Sequence, residues 1–129
     1  MRRVGCVLVL AWLVGCAAQP PAPPPHRVIV FFQEWSAALD PAAQSAVGAA
    51  ATWAKEHPDE VVTVSGFADT TGSSKANEYI SLTRAQVVSD QLAADGVAAS
   101  RITIAGQGAT SYALSSQESR RVEIAIGAR

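Results

Sequence analysis

Asp69 and Arg84 are the two residues whose chemistry and spacing invite a functional reading. Asp69 closes Gly66-Phe67-Ala68-Asp69, at the end of a hydrophobic stretch. Arg84 follows fifteen residues later, in Ser81-Leu82-Thr83-Arg84-Ala85. A strand, a loop and a helix start can bring an acid and a base into one pocket. That pocket offers one negative and one positive anchor, which suits a zwitterionic ligand.

The elements that must position them are legible from pattern. Arg27 to Phe32 is rich in β-branched and aromatic residues and predicts a strand. Asp40-Pro41 marks a helix start, with Asp40 as N-cap and Pro41 at the first helical position. This helix is expected to run to about Glu56 and stop before Pro58. Val47, Ala50, Ala51 and Ala54 share one face, with Trp53 on the flank. Glu60 to Phe67 alternates loosely and predicts a buried central strand. Asp69 to Asn77 is polar and predicts a loop. Ser81 then caps a second helix that ends at Gly96, a C′ glycine, with Leu82, Ala85, Val88 and Leu92 on one face. Arg101 to Ala105 predicts a third strand, and Gly106 to Ser119 a loop. Arg120 to Ile126 alternates cleanly and predicts an edge or half-exposed strand. The order is βαβαββ. The expected class is α/β, an α+β sandwich with two helices packed on one face of a mixed sheet.

A chain of 129 residues favours one domain. Ten Lys and Arg are interspersed with eleven Asp and Glu, and no basic stripe is present, so nucleic acid is not an expected partner. Residues 1–15 read as a secretory signal: Arg2 and Arg3 precede the apolar run Val7 to Val14, which is too short to span a bilayer. The run ends Leu13-Val14-Gly15-Cys16, which resembles the lipobox of bacterial lipoproteins. That likeness implies a lipidated Cys16 as the first mature residue. Ala17 follows where an inner-membrane retention signal would have Asp, so the outer membrane is the implied address. Cys6 leaves with the signal, and no mature cysteine remains for a disulfide or a metal. Residues 16–26 form a tether, with five prolines between Gln19 and Pro25. At about 3.1 Å per residue such a segment spans roughly 30 Å. The domain proper is expected over residues 27–129.

Four motifs in order carry a family resemblance: Gly66-Phe67-Ala68-Asp69; Asn77 ahead of Ser81-Leu82-Thr83-Arg84-Ala85; Gly106-Gln107-Gly108; and Ser119-Arg120-Arg121-Val122. Residues 28–126 resemble the OmpA-like, peptidoglycan-associating domain found in Pal-type lipoproteins. That family shares the βαβαββ fold. The resemblance implies non-covalent binding of peptidoglycan through the diaminopimelate of its stem peptide. It assigns Asp69 to the ammonium and Arg84 to the carboxylate, which a planar guanidinium can grip with two bonds. The first helical turn after Ser81 would add free N–H groups to the same anion site. Asn77 would shape the loop and donate, Thr70 and Leu82 would contact ligand, and Arg120 would support the pocket. The implied partners are peptidoglycan, the outer membrane through the lipid, and Tol-like or secretion-complex proteins of the envelope. No cofactor is implied.

Rival classes carry less. A glycosidase needs two facing carboxylates, and Asp69 has no second acid beside it in sequence. A Ser-His-Asp hydrolase needs a placed histidine, and His57 is the one candidate in the expected domain. His57 also makes a poor metal site without further ligands. The remaining alternative is a protein-interaction module with weakened wall binding, motivated by Phe67 where the family pattern has histidine. Ser119 likewise stands where the pattern has asparagine.

Overall fold

The computed structural model describes residue 15 and residues 17–68, 72–109 and 119–127. The elements are β1 (His26–Phe31), α1 (Pro41–Glu56), β2 (Val62–Ala68), α2 (Ser74–Ala94), a 3-10 turn (Ala99–Arg101), β3 (Ile102–Ala109) and β4 (Arg121–Ile126). The four strands lie in the order β1-β4-β2-β3. β4 runs antiparallel to both β1 and β2, while β2 and β3 are parallel. Two helices on a mixed four-stranded sheet is the class expected from the sequence.

Alternation explains which face the helices cover. Val62, Val64, Val122, Ile124 and Ile126 are buried on one face, with half-buried neighbours between them. Against them pack Val47, Ala50, Ala51 and Ala54 of α1 and Ala85, Val88 and Leu92 of α2. The alanine stripe of α1 lets the helix lie close to the sheet.

The helix ends obey simple chemistry. Asp40 Oδ1 accepts from the Ala43 amide at 2.7 Å, and Pro41 opens α1. At the other end Arg101 donates to the carbonyls of Ala54, His57 and Glu60 at 2.8–2.9 Å, which satisfies the last turn. In α2 the Val97 amide bonds Leu92 O and the Gly96 amide bonds Ala93 O. Gly96 has φ 103°, so this is the Schellman stop that a C′ glycine predicts.

Several expectations need correction. α2 begins at Ser74, a full turn and more before Ser81, and Ser73 Oγ accepts from the Ala76 amide at 3.1 Å. Ser81 is a buried mid-helix residue whose hydroxyl donates to Glu78 O at 2.8 Å. The loop expected through Asn77 is therefore helical from residue 74. No apolar period announced this start, because the inward face there is Asn77, Ser81 and Arg84. Leu82 is 48% exposed and stands off the core face. β4 is an inner strand, flanked by β1 and β2. Its alternation reports one covered and one half-exposed face, as expected, but at an inner position and not at an edge. His26 belongs to β1 rather than to the tether, and β3 continues to Ala109. The signal residues 1–14, Cys16 and the segment 110–118 lie outside the described residues.

Candidate functional site

β1 and β2 end, and β4 begins, at one end of the sheet, since Phe31 pairs with Arg121 and Gly66 with Val122. The first half of α2 crosses this end on the covered face. Gly66 makes that possible: a Cβ there would collide with the Ser81 carbonyl. Gly106 on β3 does the same for Leu82, whose Cβ would sit 3.0 Å from an added methyl. The two glycines let α2 settle onto the sheet backbone, and its inward side chains are drawn to the strand ends.

A hollow opens there. α2 contributes Asn77, Ile80 and Arg84; the segment after β1 contributes Glu34 and Trp35; Ala68 ends β2, and Arg120 precedes β4. It holds about 190 Å³ outside protein atoms, open to solvent, of which about 10 Å³ admits the centre of a water molecule. It is a narrow crevice, able to grip small polar groups at its mouth.

Arg84 forms its floor, 1% exposed. Its Nε donates to Ser36 O at 2.8 Å and Nη2 to Gln33 O at 3.0 Å. Nη1 lies 3.5 Å from Phe67 O, a weak contact. Its Cζ sits 5.4 Å from the Phe32 ring centroid. The guanidinium therefore ties α2 to the β1–α1 loop and to β2. Arg120 is half-buried, and its Nε donates to Phe32 O at 3.3 Å while the Phe32 amide donates to Arg120 O at 2.9 Å. Two guanidinium groups thus line one crevice. Asn77 is buried beside them, and its backbone N–H donates to Ser73 O at 3.0 Å.

The geometry brings three of the residues expected to bind ligand, Asn77, Arg84 and Arg120, to one place. Asp69 and Thr70 lie outside the described residues. Leu82 is placed elsewhere, over Gly106 on β3. The helix N-terminus expected beside Arg84 is not there, because Ser73 caps α2 eleven residues earlier. Phe67, the departure from the family pattern, presents its ring to Arg121, 4.1 Å from centroid to Cζ, and does not join the hollow's lining.

Sequence reasoning missed Glu34 as a lining residue. Trp35, next to it in the lining, stands at the rim, 55% exposed. Its φ of 50° is rare for a bulky residue and costs of order 1–3 kcal/mol. Gly72 accommodates it: φ is 85° and a Cβ would approach Trp35 Cη2 to 2.8 Å. The indole thus joins the loops before α1 and α2.

Comparison with known proteins gives a consistent picture. Residues 31–124 match the OmpA family. A probable lipoprotein, YiaD of Escherichia coli, is 37% identical over 103 residues, covering 75% of this chain and 47% of its own length. The peptidoglycan-binding protein ArfA of Mycobacterium tuberculosis is 35% identical over 103 residues, covering 75% of this chain and 32% of its own. The chain therefore spans less than half the length of these curated relatives. Among solved structures, the peptidoglycan-associated lipoprotein of Burkholderia pseudomallei superposes with a TM-score of 0.72 at 23% identity, covering 77% of this chain and 89% of that one. The C-terminal domain of Helicobacter pylori MotB gives 0.69 at 22% identity, over 78% and 84%. At these identities the structural likeness speaks for the fold.

Proposed function

The chain belongs to the OmpA family, and from that membership we propose that its domain binds peptidoglycan without covalent chemistry, through the diaminopimelate of the stem peptide. The observation that carries the reading is the meeting of Asn77, Arg84 and Arg120 at one crevice, beside the strand end that leads to Asp69. Asp69 takes the ligand's ammonium. Arg120, half-buried at the mouth, takes its carboxylate. Arg84 lies beneath as a fixed positive charge and a brace. A relative named for peptidoglycan binding supports the ligand class.

Cys16, once lipidated, anchors the chain in the outer membrane, and the proline tether holds the domain against the wall. Each contact is weak, and many copies on one mesh gain avidity. The rival reading, a protein-docking module, predicts instead that crosslinking in cells captures a protein partner while the domain is not retained by the wall.

Co-sedimentation with purified sacculi tests the binding reading. Asp69→Asn and Arg120→Gln are expected to leave most protein in the supernatant with circular dichroism unchanged. Wild-type levels of sedimentation in both variants would refute it. In the same cells Cys16→Ser is expected to move the chain from the membrane to the soluble fraction, and retention in the membrane would refute the anchor.

A further inference from the structure

The crevice has an acidic and aromatic side as well as a basic one. Glu34 and Trp35 line it together, and both are exposed. Among the described residues Glu34 makes no ion pair, although the same crevice holds Arg84 and Arg120. Trp35 keeps a left-handed backbone that bulky residues rarely adopt, and its indole is seated on Gly72, where any side chain would displace it. An acid and an exposed tryptophan that line one crevice suit one class of group, a cation. The acid supplies charge, and the ring quadrupole adds attraction for an ammonium at its face.

We propose that Glu34 and Trp35 form a second ammonium contact of the crevice, selecting ligands whose amine is free. The inference rests on the binding reading above and adds a specificity element to it. Asp69 is then not the sole acid facing the ligand. An amine blocked by acylation or crosslinking loses its charge and is rejected, so the domain prefers uncrosslinked stems.

The test uses full-length protein in detergent and two soluble wall fragments. One carries diaminopimelate with a free side-chain amine, and the other is the same fragment N-acetylated there. Wild-type protein is expected to prefer the free amine. Glu34→Gln is expected to reduce that preference about three- to tenfold, with an unchanged melting temperature. Trp35→Phe keeps an aromatic face and is expected to retain more of the preference than Trp35→Ala. An unaltered preference in both Glu34→Gln and Trp35→Ala would overturn the inference while leaving the binding reading intact. Failure of wild-type protein to bind either fragment or sacculi would overturn both. In the mature chain, which begins at Cys16, a Trp53→Phe background leaves Trp35 as the reporter. Its emission is expected to shift with the free-amine fragment, and a flat signal at saturation would also overturn the contact.

Discussion

Arg84 carries a permanent charge into a place with 1% exposure. Burial of that kind is tolerated only when the guanidinium is well bonded, and the carbonyls of Ser36 and Gln33 serve that end. Removing the side chain would leave these acceptors, and a void, beneath the crevice. Arg84→Ala is therefore expected to lose about 3 kcal/mol or more of stability, measured by urea unfolding. A loss under about 1 kcal/mol would show that the bonds contribute little. Loss of wall binding in this variant would not by itself identify a ligand contact, which is why Arg120 and Asp69 make the cleaner probes. The spacing of Asp69 and Arg84 was readable because two opposite charges stood in an ordered set of motifs. The depth of Arg84 was not. An arginine on a helix usually projects to solvent, and nothing in Leu82-Thr83-Arg84-Ala85 announces that the core face turns polar there.

At the scale of elements, α1 was legible almost to the residue, because Asp40, Pro41 and Pro58 are local signals that act through their own backbone. α2 was misread at its start because its evident signal, apolar spacing, begins only at Leu82, and its buried apolar residues only at Ala85. Ser81 is small because the helix backbone touches the sheet at Gly66, leaving no room there for a large side chain. A contrast of glycines tests this account. Gly66→Ala forces the Ser81 carbonyl and β2 apart and is expected to destabilise the fold by about 2–3 kcal/mol or more. Gly48→Ala lies within α1, where an added methyl meets nothing within 4 Å, and is expected to stabilise by about 0.5–1 kcal/mol. Equal denaturation midpoints for the two variants would contradict the close approach. The place of β4 was equally hidden. Alternation reports faces, whereas strand order depends on pairings distant in sequence, such as Val28 with Ile124 and Val64 with Ile124.

In the whole molecule, the tether and the crevice sit at opposite ends of the sheet. His26 pairs with Ile126, and Val62 pairs with the same residue, so the tether enters where β1 and β2 begin. The imidazoles of His26 and His57 stack on Trp53 at 4.1 and 4.3 Å, beside a cavity of about 410 Å³ lined in part by Pro23, Pro24 and Pro25. The crevice lies at the far end, where those strands stop. A load between tether and crevice therefore runs along β1 and strains its bonds to β4 in shear, together. A load between the tether and the chain's C-terminus acts at one end, because β4 finishes beside His26, and it peels the same bonds in turn. Single-molecule pulling distinguishes these geometries. With Cys6 and Cys16 replaced by Ser, one set of handles joins Ala18→Cys to Ser73→Cys, beside the crevice, and the other joins Ala18→Cys to Arg129→Cys. The tether-to-crevice geometry is expected to need clearly higher rupture forces at equal loading rate. Equal forces in the two geometries would mean that β1 is not the strand that bears the load.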